Sequence, residues 1–173
     1  MDRTAAAGVV VRPFRSGELP RLLVGAGPRD RFHHVERSGM HERGEATYLV
    51  AWDGDLPCGR GTVFHRSRYE QVRQVLGDVP ELNALEAIPR GVGIGSRLVA
   101  AAEECATALG AHRLGLAVER GNVAARRLYE RLGYVEWEHG DVVDRWLERD
   151  ESGTAIREHA DLCGYLVKEL TDR

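Results

Sequence analysis

The stretch Arg90-Gly91-Val92-Gly93-Ile94-Gly95-Ser96 constrains this chain more than any other. Glycine at alternate positions removes every second side chain, so the backbone can close tightly on a bound group. A strongly helical run begins near Ile94. Its free amides and positive dipole end face whatever the glycines leave room for. The pattern specifies an anion site, most naturally for a phosphate group.

A chain of 173 residues, 43% hydrophobic and 29% charged, suits one soluble globular domain, expected over residues 1–173. The formal net charge of −3 provides no basic face for nucleic acid and is compatible with a cationic substrate such as an amine. Cys58, Cys105 and Cys163 are far apart and odd in number, which predicts buried reduced thiols rather than a disulfide framework. The start, Met1-Asp2-Arg3-Thr4-Ala5, lacks a basic region and an apolar core, so no leader is expected. No apolar run reaches membrane-spanning length. Together these predict a cytoplasmic protein with no membrane partner.

The chain opens with a β-branched run, Val9-Val10-Val11, closed by Pro13. A loosely helical region follows from Ser16 to Arg37, interrupted by Gly25-Ala26-Gly27-Pro28. Ala46–Trp52 and Cys58–His65 read as strands around Asp53-Gly54-Asp55, a good hairpin signal. Val72, Val75 and Leu76 suggest a short helix, and Glu81–Ile88 a strand that feeds the glycine loop. In the next helix Ile94, Leu98, Ala101, Cys105 and Ala108 recur at three- and four-residue intervals on one face, with Gly110 as the stop. His112–Val118 is a strand, and Asn122 caps a second helix that runs to Gly133. Two more strands are expected near Val142–Trp146 and Cys163–Lys168, with a loop around Gly153. Hairpins and strand–helix alternation together predict an α/β fold: a mixed, mostly antiparallel sheet of about six to seven strands flanked by helices.

Three phosphate-loop patterns compete for the glycines. A nucleoside-triphosphate loop ends in Gly-Lys-Ser/Thr, but here Gly95 is followed directly by Ser96. A dinucleotide fingerprint needs a third glycine two residues after the second and an acid about 20 residues later, and Ala111–Arg113 offers none. The third pattern, Arg-x-x-Gly-x-Gly, is met by Arg90, Gly93 and Gly95. About 30 residues on comes Asn122-Val123-Ala124-Ala125-Arg126-Arg127-Leu128-Tyr129-Glu130-Arg131-Leu132-Gly133-Tyr134. In this order, with one helix and one strand between, the two motifs resemble the GNAT acetyltransferases. The start Val11-Arg12-Pro13 and the ending Cys163–Lys168 extend the likeness over nearly the whole chain.

The resemblance implies the GNAT fold and acetyl transfer from acetyl-coenzyme A to a primary amine of a small molecule or peptide, by direct attack and without a metal. It implies that the backbone of Gly91, Val92, Gly93, Ile94, Gly95 and Ser96, helped by Arg90, holds the pyrophosphate. The strand end at Ala87 and Ile88 would pair with the pantetheine arm, and Asn122 and Ala125 at the start of the next helix would reach the cofactor. Tyr129 stands where the family meets the departing sulfur. One departure is that Arg90 follows Pro89 immediately, where relatives usually insert two or three residues, which predicts a tightened loop. A coenzyme-A-binding sensor that has lost turnover is the alternative reading. Dimers are common in the family, so a homodimer is a further expectation.

A protonated amine must lose a proton before it attacks a thioester, and a carboxylate or a water chain can take it. Glu81, six residues before Ala87, holds the position of the base glutamate in the histone-acetylating branch. Glu86 and a water chain are the alternatives. Another branch places its base where this chain has Ala117, which cannot serve. Tyr129 would donate to the sulfur. Its ordinary pKa near 10 exceeds the thiol value near 8.5, an uphill step of about 2 kcal/mol that a lowered tyrosine pKa would remove. A backbone amide near Ile88 is the expected oxyanion donor. His33-His34 and His41 lack metal-ligand spacing and are expected at the surface or acceptor site. Arg126-Arg127 reads as a solvated helix face that could approach the adenosine phosphate. Ser16–Met40 and Ser67–Pro80, of mixed charge, are expected to shape the acceptor site.

Overall fold

A computed structural model describes residues 8–150 and 152–170; the segment Met1–Ala5, read above for a leader, lies outside them. The element order is β1 (Val9–Pro13), α1 (Leu19–Leu23), α2 (Pro28–Glu42), β2 (Ala46–Asp53), β3 (Leu56–Phe64), α3 (Glu70–Leu76), β4 (Glu81–Ala87), α4 (Ile94–Ala108), β5 (Arg113–Glu119), α5 (Val123–Arg131), β6 (Val135–Glu136), β7 (Val142–Arg149) and β8 (Ala155–Glu169). Among the described residues no helix is long and apolar enough to cross a membrane.

The strands form one sheet in the order β1-β2-β3-β4-β5-β8-β6, with β7 paired to the outer half of β8. Every pairing is antiparallel except that of β4 with β5. The expected α/β sheet therefore forms, with eight strands rather than six or seven. The two-residue β6 is the unforeseen one. The β2–β3 hairpin turns at Gly54, whose φ of 57° glycine tolerates.

Both faces of the sheet are covered, and strand alternation assigns each residue to one of them. On β2, Leu49 and Ala51 join the core under α4 and α5, with Val63, Leu82, Leu98 and Leu116. Tyr48, Val50 and Trp52 face the other way, against Phe14 and Leu22 of the α1 side. A third cluster, Val72, Val79, Val142, Cys163 and Tyr165, joins α3 to the β7–β8 ribbon.

The buried stripe of α4 runs through Ile94, Leu98, Ala102 and Ala106. Ala101 and Cys105 lie half-buried at its flank and Ala108 is exposed. Alanines stand at both 101 and 102, so residue type leaves the centre of the stripe open by one position. The helix ends as expected, with Gly110 at φ 78° and its N–H donated to Thr107 O at 2.9 Å. All three cysteines are free thiols. Cys163 is buried as predicted, while Cys58 and Cys105 are half-buried because they sit at the rims of their packed faces.

The C-terminal strands are longer than the sequence suggests. β8 spans fifteen residues: its first half pairs with β7 alone, and Cys163–Glu169 pairs with β5. Residues 155–160 read Ala-Ile-Arg-Glu-His-Ala, too charged to signal a strand. They form a solvated ribbon in which Trp146 stacks on His159, centroids 4.0 Å apart. Gly153 lies in its turn.

Gly115 of β5 has the least room of any glycine in the chain. A Cβ there would meet Tyr165 Cζ at 2.7 Å and Cε1 at 2.9 Å, because the fully buried Tyr165 ring lies across it. Gly115→Ala is expected to overpack this point and destabilise the fold by about 1–3 kcal/mol, lowering the melting temperature by roughly 2–10 °C. Gly121→Ala, with no atom closer than 3.9 Å, should melt like the native protein in the same scan.

Candidate active site

The site is built on an opening in the sheet. β4 and β5 pair only through Glu81↔Gly115 and Leu82↔Leu116, and then part. The cause lies one residue further along β4. Thr62 pairs with Asn83 but Arg60 with Glu86, so two residues of β4 oppose one of β3. This bulge puts Ala84 at φ 53°, a conformation that L-residues adopt rarely and that bends the strand away. Past the bulge, Ile88 donates its N–H to Cys58 O at 2.9 Å. Strand alternation then turns the N–H and C=O of Ala87 away from β3, toward the edge that β5 has left. The amide of Ile88 itself is thus engaged by β3, and of the amides near Ile88, where the oxyanion donor is expected, that of Ala87 faces the opening.

Residues 88–93 link this edge to α4. Val92 and Ile94 pack into the core, which pins the loop by its apolar residues and leaves Gly91 and Gly93 exposed. Both glycines have positive φ, 81° and 95°, with open space around them. Gly95 is small for another reason: a Cβ there would come within 3.4 Å of Leu128 Cδ2 on α5. The first turn of α4 carries no acidic residue, so nothing competes for its free N–H groups, those of Ile94, Gly95 and Ser96. Arg90 is exposed beside them.

Asn122 caps α5 as predicted, its Oδ1 accepting the Ala125 N–H at 3.1 Å. The Ala125 amide is therefore occupied by the cap. Arg126 is tied to Glu130 and Glu136, and Arg127 remains exposed. Tyr129 is 7% exposed in the core between the sheet and α4, its ring edge-on to Tyr134 at 5.9 Å. Burial pushes its hydroxyl up to about 12. Among the described residues no cation offsets this desolvation, so the site raises the phenol pKa and does not remove the uphill step by lowering it.

The opposite face of the opening is polar. Glu81 is fully buried and accepts from Ser67 Oγ at 2.6 Å, Arg68 Nε at 3.0 Å and the Tyr165 hydroxyl at 3.4 Å. Arg68 also reaches Asp144 on β7 at 3.1 Å. Desolvation raises the Glu81 pKa against the pull of Arg68 and Ser67. Glu81 is thus neither solvated nor open to an incoming amine; the Ser67–Arg68 segment closes over it.

Glu86 is different. It lines a cleft of about 240 Å³ between the α1–α2 turn and the ends of β3 and β4, together with Asp30, His34, Arg60, Leu22 and Ile88. Arg60 bridges Glu86 and Asp30, the latter at 2.7 Å, so two carboxylates face one guanidinium. Arg60 Nη1 also donates to His34 Nε2 at 3.4 Å. Because guanidinium only donates, the His34 proton sits on Nδ1, which donates to the Tyr48 hydroxyl oxygen at 2.7 Å. Burial holds His34 down to about 4 and His33 to about 3, so both are neutral near pH 7. Of the two places expected for these histidines, surface or acceptor site, His34 lies in the wall of the cleft, and α2 packs it and His33 against Tyr48.

Sequence reasoning missed Arg37, Arg60, Ser67 and Tyr165. They come from four different elements or turns and converge only through strand pairing and the packing of α2. No spacing along the chain announces them.

A model of the acetyltransferase (GNAT) family matches residues 20–134. A mycothiol acetyltransferase from Geodermatophilus obscurus is 28% identical over 138 residues, 73% of this chain; the chain spans 44% of that relative's length. Among solved structures, the fold is similar to a ribosomal-protein-alanine N-acetyltransferase from Brucella melitensis, with a TM-score of 0.64 and 23% identity over 93% of this chain and 99% of the other. An N-acetyltransferase from Staphylococcus aureus Mu50 gives 0.65 and 14%, over 95% and 100%. A Salmonella typhimurium protein determined with its cofactor acetyl-CoA gives 0.63 and 15%, over 96% of each chain. With two thirds of its length matched by the family model and its sheet opened as described, the chain belongs to the acetyltransferase (GNAT) family.

Proposed function

We propose that this protein is an N-acetyltransferase that moves an acetyl group from acetyl-coenzyme A to an amine. The observation that carries the reading is the unpaired inner edge of β4 running straight into a Cβ-free cradle at the start of α4. An extended arm with amide groups fits the first, and a diphosphate fits the second. Acetyl-coenzyme A would supply the activated thioester. The amides of Gly91 to Ser96 would hold its diphosphate with Arg90 beside them, the Ala87 backbone would pair with its arm, and the α5 start at Asn122 and Ala125 would flank it.

Within this reading Glu86 receives the amine proton, because of the two cleft carboxylates it is the one adjoining Ala87 on β4, and together with Asp30 it favours a cationic amine. Glu81 instead holds Arg68 and Asp144 in place. Tyr129 stays a neutral phenol at working pH. With its hydroxyl near 12, full transfer to a thiolate near 8.5 is uphill by about 5 kcal/mol. Its role is a hydrogen bond that strengthens as charge gathers on sulfur.

A thermal-shift titration tests the binding half. At 100 times its dissociation constant acetyl-coenzyme A should add about 2.7 kcal/mol, roughly 5–10 °C in melting temperature. Gly93→Val, which forces a β-branched residue to φ 95°, should lose that shift; a full shift in the variant refutes the cradle. Binding without turnover across an amine panel would favour the sensor alternative.

Three mutations test the chemistry. Tyr129→Phe should lower kcat about 10²-fold, equivalent to about 2.7 kcal/mol, at unchanged affinity for acetyl-coenzyme A. Glu86→Gln should lower kcat/KM by about 10²-fold. Glu81→Gln should lower it far less in protein that remains folded, and the opposite pattern would return the base role to Glu81.

A further inference from the structure

Three arginines meet where α2 packs on β3 and β4, Arg37 of α2, Arg60 of β3 and Arg68 of the turn after β3, and their charges are balanced unequally. Arg60 has Asp30 and Glu86, and Arg68 has Glu81 and Asp144. Arg37, whose side chain is only 13% exposed, has among the described residues one carboxylate within 4 Å, that of the half-buried Glu36, 3.5 Å from Nε but outside hydrogen-bonding geometry, with Asp144 acting on it only from further off. Its other contacts lie at the limit of a bond: Asn83 Oδ1 at 3.5 Å, Met40 Sδ at 3.6 Å and the Phe64 ring with its centroid at 5.0 Å. Among the described residues Nε is buried with no hydrogen-bond partner. So is His33 Nε2, one turn earlier on α2, and so is Thr62 Oγ1, whose residue pairs with Asn83 across the β3–β4 ladder.

A buried guanidinium without a bonded counter-charge costs several kcal/mol. Its fork of donors suits a carboxylate edge, which two parallel N–H···O bonds would satisfy together. Asn83, which Arg37 touches, immediately precedes the bulge where β4 leaves β5. An anionic group held there lies beside the opening, while the carboxylates at Arg60 leave the neighbouring cleft suited to a cation.

We infer that the acceptor is a small amine that also bears a carboxylate, and that Arg37 binds this carboxylate with Asn83 beside it. The inference rests on the acetyl-transfer reading for its reaction and on Arg37 for its ligand class.

The test measures thiol release with acetyl-coenzyme A for a panel of L-amino acids against the matching L-amino-acid amides. Thermal shifts with the same compounds run in parallel. In the native protein at least one amino acid should exceed its own amide in kcat/KM by 100-fold or more. In Arg37→Met this ratio should fall to within about threefold of unity, mainly through KM, and Arg37→Lys should recover part of it. Arg37→Met should also melt at or above the native temperature, since it removes an unpaired buried charge; a lower melting point assigns Arg37 a structural role and overturns the inference. Amides used as well as acids overturn it too. If no amine is turned over, an acid-selective thermal shift lost in Arg37→Met keeps the carboxylate site and sinks acetyl transfer, whereas no acid-selective shift sinks the site.

Discussion

The candidate site of this protein depends on two strands that pair and then stop pairing. β4 and β5 are joined at two residue pairs, and a parallel ladder this short holds little by itself. The junction is reinforced from the side. Tyr165 on β8 passes across Gly115 of β5 and brings its hydroxyl to Glu81 of β4, so three adjacent strands are locked at one point by a single ring. A side chain on residue 115 would separate them. Beyond this lock the bulge at Ala84 prevents the ladder from resuming. The sheet thus closes firmly at one end and stays open at the other, and the opening borrows its rigidity from the closed end.

The two faces of the sheet divide the work by polarity. Under α4 and α5 the packing is aliphatic, with Leu49, Leu98, Leu114 and Leu116 fully or almost fully buried, and it carries the hydrophobic driving force. On the α2 side the interior is charged. Ion pairs taken out of water at Arg60 and Arg68 contribute little net stability, because desolvation offsets their attraction. Geometry is what they supply: each guanidinium ties elements distant in sequence, α2 to β4 through Arg60 and β4 to β7 through Arg68. The apolar face makes the domain stable, and the polar face sets the charges beside the opening.

Much of this was legible in the chain. The glycine loop, the helix that follows it and the Asn122 cap are local features, encoded by residues within a few positions of one another, and the structure forms them where expected. The bulge was not legible, since an alanine at φ 53° is indistinguishable in sequence from an alanine in a regular strand. The burial of Glu81 was hidden for a related reason: its three partners stand 13, 14 and 84 positions away. The arginine seam escaped because charge-rich stretches read as solvent-facing until packing shows otherwise. The outer half of β8 escaped because its ribbon carries polar residues on both faces. What local chemistry dictates could be read; what depends on register and on the packing of α2 could not.

The inner edge of β4 has a consequence for how such a protein diverges. It presents main-chain groups, which are the same for every residue except proline, so substitutions along it alter the side chains but not the hydrogen bonds on offer. Selection at this edge therefore acts on conformation more than on residue identity, apart from the glycines whose φ values demand them. Structures sharing only 14–23% of their residues with this chain keep its fold, as expected where lineages drift freely in sequence while the backbone path stays conserved. The charged face enjoys no such freedom: replacing one member of an Arg–carboxylate pair strands its partner. Changes on this face should therefore arise as paired changes in charge, not single ones.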